Sequence, residues 1–243
     1  MDRRRFLTKA AMMSAVFSTV GFADEKVLSP KQQLITDIEA RLQRVSDVVG
    51  FGNFNIISFD EVLQVARNFS SVGRFTKEEL AYIEEIFYED PRKYGFYGLR
   101  TCNDLTQPIY EKDVYKVPRS AHYIFKDYLP LYERLVEDVG DTLILTSGVR
   151  SVPKQLHLFL NRVIRSEFDF YDASYSLAPP GYSYHSAGDF DVGKVGFGWG
   201  NFSSRFAQTE EFKRLKSLPY VDIRYFEGNK DGVRYEPWHI QVI

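Results

Sequence analysis

Apolar residues recur at spacings of three and four from Pro30 to Val48, at Leu34, Ile35, Ile38, Leu42 and Val45, and this predicts a helix with one buried face. Gly50-Phe51-Gly52-Asn53 breaks it. Ser58 precedes Glu61 by three positions and Thr76 precedes Glu79 by three, so two capping boxes open two more helices. The first runs through Val62, Val65, Ala66 and Phe69, the second through Leu80, Ile83, Ile86 and Phe87 to a stop near Asp90-Pro91. No Asp-rich loop of calcium-binding type lies between them. From Tyr94 to Val117 the chain is aromatic and broken, which predicts loops against the core or along a cleft. Periodicity returns from Arg119 to Val139, read as a helix that Pro130 kinks or divides and Gly140 ends.

Beyond Gly140 the period changes. Asp141–Ser147 is a β-branched and aliphatic run, hence a buried strand. Val152–Arg165 reads as a helix, Pro179-Pro180-Gly181 as a loop, and Phe190 and Val192 as strand residues. Gly193–Gly200 reads as a turn, and Thr209 caps a helix to Leu218. Tyr220–Phe226 and Val233–Ile243 read as strands joined by a hairpin turn at Asn229–Gly232. The expected class is α+β, a small antiparallel sheet with flanking helices and an N-terminal helical extension. The expected division is an export segment over 1–23, a helical region over 24–140 and a core over 141–243.

The start of the chain changes the picture of location. Arg3-Arg4-Arg5-Phe6-Leu7 precedes a short apolar run from Ala10 to Phe22, with small residues before Asp24. This has the form of a twin-arginine-like export signal, and the run is too short to span a membrane. An exported, periplasmic or wall-associated protein is expected. The net charge of −2 and the absence of a basic stripe argue against nucleic acid as a partner. A single cysteine, Cys102, excludes an intrachain disulfide and any cysteine-rich metal site.

Chemistry gathers in two stretches, Ser183-Tyr184-His185-Ser186-Ala187-Gly188-Asp189-Phe190-Asp191 and Glu236-Pro237-Trp238-His239. Two of the chain's four histidines lie here beside carboxylates. Two imidazoles and one carboxylate make a hydrolytic zinc site with a position left for water. A further Glu can take that water's proton. His122 and His157, alone on helical text, read as structural. One conflict stands: strict alternation along an extended run puts Glu236 and His239 on opposite faces. A bulge at Pro237 would bring them together.

Ser147-Gly148-Val149-Arg150-Ser151, Gln155, the Ser183–Asp191 stretch and Glu236-Pro237-Trp238-His239, in that order, resemble the D-alanyl-D-alanine carboxypeptidases and dipeptidases of the VanY/VanX type, within the LAS zinc metallopeptidases. The resemblance covers Leu143 to the C-terminus. It implies that His185, His239 and an Asp bind Zn²⁺, and that Glu236 activates a zinc-bound water. It implies that Arg150 polarises the scissile carbonyl or binds a substrate carboxylate, with Ser183, Gln155 and Trp238 along the substrate. The family's Asp lies seven residues after its first His, where this chain has Val192. Asp191 is the favoured third ligand and Asp189 the alternative, or else a partner that orients an imidazole. The implied substrate is a peptidoglycan stem peptide, cut by a D,D-carboxypeptidase. The rival readings are an endopeptidase, a zinc amidase or lyase, and a non-catalytic wall-binding protein.

Overall fold

The computed structural model describes residues 27–118 and 120–243. The proposed export segment lies outside them. Four helices open the described region: α1 (Pro30–Val49), α2 (Phe51–Phe54), α3 (Phe59–Asn68) and α4 (Lys77–Tyr88). Ser58 and Thr76 cap α3 and α4, and Glu61 and Glu79 return the bond to the cap backbone in both. Glu79 is also held by Arg41 of α1, whose Nε and Nη2 donate to Oε1 at 3.2 and 3.0 Å. The 20-residue α1 buries Ile35, Ile38, Leu42 and Val45, the face that the spacing predicts.

A two-stranded ribbon follows, β1 (Val114–Lys116) against β2 (Tyr123–Phe125), then α5 (Leu129–Val139). The expected helix over Arg119–Val139 is therefore corrected. Tyr123–Phe125 is a ribbon strand and Lys126–Tyr128 a 3-10 turn, and Pro130 sits in the first turn of α5, where its missing N–H is no loss. The rest is β3 (Leu143–Ser147), α6 (Val152–Arg165), α7 (Phe170–Ser176), β4 (Phe190–Lys194), α8 (Glu210–Ser217), β5 (Val221–Tyr225) and β6 (Glu236–Val242). The short α7 had no clear periodicity. The expected hairpin between β5 and β6 is a longer connection, because β6 begins at Glu236 rather than Val233.

The sheet has the order β3-β4-β6-β5 and every pair is antiparallel. Its residues, among them Leu145, Val192 and Ile240, share a core with Phe206, Leu135 of α5 and Leu215 of α8. A second core joins α1, α3 and α4 to Leu156, Phe159, Leu160 and Val163 of α6. The helical extension is thus fastened to the helix that follows directly on the Ser147–Ser151 stretch. No described helix is long and apolar enough to cross a membrane.

Candidate active site

The sheet register sets the site. Asp191 on β4 lies opposite His239 on β6 and opposite Ser147 on β3. Directly opposed residues project to the same side, so these three side chains converge. The pairing of β5 with β6 slips between Ile223↔Ile240 and Tyr225↔Glu236, two residues on one strand against four on the other. That irregularity contains Pro237 and resolves the alternation conflict, and Glu236 and His239 line one cleft. His185 arrives from a single 3-10 turn, Tyr184–Ser186. The turn exits through Gly188 at φ +111°, where any Cβ would lie 2.3 Å from the Tyr128 ring. At Gly148 a Cβ would meet the Tyr123 carbonyl oxygen at 2.0 Å. Both positions require glycine.

One ligand atom from each of His185, Asp191 and His239 lies within 4.8 Å of the others, and all three residues are buried. His185 Nδ1 faces the Gly148 carbonyl at 2.8 Å, so it carries the proton and leaves Nε2, 3.4 Å from Asp191 Oδ2, with a lone pair. His239 Nε2 faces Asp189 Oδ2 at 3.3 Å, which leaves Nδ1 toward Asp191 Oδ1, also at 3.3 Å. Burial pushes His185 down to about 4, with Arg150 adding to the effect, so this imidazole is neutral at pH 7. Asp191 Oδ1 is buried and has no hydrogen-bond partner among the described residues. Burial works against the Asp191 charge, but the Arg150 guanidinium 2.8 Å from Oδ2 helps to hold the carboxyl below its ordinary range. Two ring nitrogens and one carboxylate thus face one another, and that donor set suits a divalent cation of zinc type.

Around this cluster the partners are fixed. Arg224 donates to Asp189 through Nε at 2.6 Å and Nη2 at 3.0 Å. Tyr225 meets the His239 ring edge-on at 4.8 Å. Arg150 donates to Asp191 Oδ2 at 2.8 Å and to Ser147 Oγ at 2.9 Å, with Gln155 Oε1 at 3.5 Å. Gln155 Nε2 donates to the Ala178 carbonyl. Glu236 Oε2 lies 3.9 Å from His239 Nδ1 and its Oε1 3.4 Å from Arg234 Nε. Burial lifts Glu236 to about 7, with His239 opposing the shift and Asp191 adding to it, the range in which a carboxylate trades protons with water.

All of these residues except Asp189 and Arg224, together with Ser183 and Trp238, line a cleft of about 440 Å³. Of the residues named from the sequence as candidates, Arg150, Gln155, Ser183, His185, Asp191, Glu236, Trp238 and His239 line it, and Asp189, the alternative ligand, does not. Asp191 is the Asp that reaches the cluster, and Asp189 stands behind His239. His122 lines the same cleft outside the cluster, and His157 is buried on α6 with its ring edge-on to Phe54 at 5.6 Å. Lys154 and Phe51 also line the cleft and were not singled out by sequence. The signal for Lys154 was there, a cation in the first turn of a helix, where carboxylates are favoured.

Residues 122–243 match the family model for D-alanyl-D-alanine carboxypeptidase, VanY. The chain belongs to the D-alanyl-D-alanine carboxypeptidase family. The match begins ahead of Leu143 and takes in β2 and α5, whereas α1 to α4 fall outside it. No curated protein matches the chain. Among solved structures, the chain is similar to the LdcB LD-carboxypeptidase, with 26% identity, a TM-score of 0.45, and 53% of this chain and 62% of that one covered. It thus spans less than two thirds of LdcB. It is similar to the vancomycin-resistance D,D-pentapeptidase VanY solved with Zn(II), with 20% identity, a TM-score of 0.41, and 53% and 77% covered. VanYB in complex with D-alanine-D-alanine gives 20% identity, a TM-score of 0.43, and 55% and 78% covered.

Proposed function

We propose that this member of the carboxypeptidase family is a zinc-dependent peptidase that trims peptidoglycan stem peptides as a D,D-carboxypeptidase. The observation that carries the reading is the convergence of three buried lone-pair donors, His185, Asp191 and His239, with Glu236 on the same cleft wall. Those three residues would hold the ion. When bound, zinc lowers the pKa of water and polarises a carbonyl oxygen.

The protein's own side chains supply the rest. Glu236, lifted by burial to about 7, accepts a proton from the attacking water and returns it to the departing amine. Removal of such a base costs about 10²- to 10⁴-fold in rate. Arg150, fixed beside Asp191, presents a positive fork to the cleft that would stabilise negative charge developing on the carbonyl oxygen. Asp189, held by Arg224, fixes the ring and proton of His239. Ser183 and Trp238 wall the cleft along the peptide. An exported location, suggested by the start of the sequence, would place the enzyme beside this polymer.

The test is a pentapeptide stem and cross-linked muropeptides incubated with the protein, with and without chelator, and read by mass. Release of terminal D-alanine only without chelator supports the reading. Products cut inside cross-links would favour an endopeptidase, and no metal-dependent product would favour a binding protein.

A further inference from the structure

Among the described residues, three cations line the cleft: Arg150, Lys154 and Arg234. Arg150 is paired with Asp191 at 2.8 Å and Arg234 faces Glu236 at 3.4 Å. Lys154 has no acidic partner among the described residues, although the residue is only 6% exposed. Its Nζ lies over the Phe51 ring at 4.3 Å and over Phe54 at 5.5 Å. A buried ammonium without an anion is costly, and two further features add to the cost. It sits in the first turn of the 14-residue α6, at the positive end of that helix. Arg150 is near enough to disfavour its charge as well. Among the described residues no anion pairs with this ammonium, and its open side is the cleft.

We propose that Lys154 receives a carboxylate of the substrate, so that the cleft selects peptides with a free carboxylate over neutral ones. This deepens the peptidase reading and rests on it. Phe51 comes from the helical extension, outside the region shared with the family. It covers one side of the ammonium and holds it toward the cleft, which gives the extension a part in substrate choice. Arg150 is held at the metal-ligand cluster by Asp191, Ser147 and Gln155, which leaves Lys154 to meet the incoming carboxylate.

The anion is either the C-terminal carboxylate or one on a side chain of the stem. The test compares zinc-loaded wild type, Lys154→Met and Lys154→Arg on paired peptides. One pair ends in a free acid or a C-terminal amide. The other carries a diamino acid with a side-chain carboxylate, or lysine in its place. Wild type should favour the carboxylate member of one pair by about 10- to 100-fold, expressed in KM. Lys154→Met should bring that ratio near one, and Lys154→Arg should keep most of it. Loss in the first pair assigns the terminal carboxylate and loss in the second the side-chain one. Unchanged ratios in both pairs for a folded Lys154→Met protein, checked by its thermal melt, overturn the proposal. If zinc-loaded wild type cuts no peptide of either pair, it is the peptidase reading that fails, and the assignment falls with it.

Discussion

Lys154→Met should make the protein more stable, against the usual direction for a buried substitution. Burial first, and then Arg150, push the ammonium from its ordinary 10.5 down to about 8. At about 1.4 kcal/mol per unit, this puts the cost of the charge in the folded state near 3 kcal/mol. Water in the cleft screens part of that, and the contacts with Phe51 and Phe54 return about 1 kcal/mol. Methionine keeps the length and the apolar contacts and needs no counter-charge. The net gain should be about 1–2 kcal/mol at pH 7, or a Tm higher by about 4 °C for a chain of this size. Below pH 8 lysine is protonated in both folded and unfolded chains, so the full cost is present. Between pH 8 and 10.5 the folded state gives up its proton first, and the cost fades as pH rises. Urea unfolding of wild type and variant at pH 7 and at pH 9.5 would measure it. A variant less stable than wild type at pH 7, or a difference unchanged between the two pH values, would refute the reasoning.

Glu236→Gln should lose about 10²- to 10⁴-fold in kcat while still binding zinc, as read by peptide release and metal analysis. Arg224→Met removes both donors that steady Asp189 and should weaken zinc affinity by about 10- to 100-fold in a competition assay with a chelator. Leu160→Ala, at a fully buried position in the core shared by the extension and α6, should cost about 2–5 kcal/mol in urea unfolding. Arg41→Ala leaves Glu79 charged and buried, and should cost about 3–5 kcal/mol by the same measurement.

The parts of the fold that were legible in the sequence carry their own local signals. Ser58 with Glu61, Thr76 with Glu79, and the apolar spacing of α1 and α6 each act within a few residues, and each element stands where those signals put it. Arg119–Val139 was misread because Ile124 and Tyr128 continue the period of α5 by chance, while the ribbon between β1 and β2 depends on a partner strand. The carboxypeptidase motifs pointed to residues that line one cleft, among them Arg150, His185, Glu236 and His239. The choice between Asp189 and Asp191 lay in the register of β4 with β6, a long-range fact that no local pattern encodes. Lys154 and Phe51 were missed for a similar reason: they meet only because α2 folds back over α6.

The central claim is that His185, Asp191 and His239 hold one divalent ion. Calorimetric titration of zinc into metal-free protein tests it directly, with wild type beside His185→Ala and Asp191→Ala. Binding of one zinc per chain to wild type, with the site lost in both variants, is the predicted result. Zinc bound with equal affinity by all three proteins, or by none of them, would contradict it.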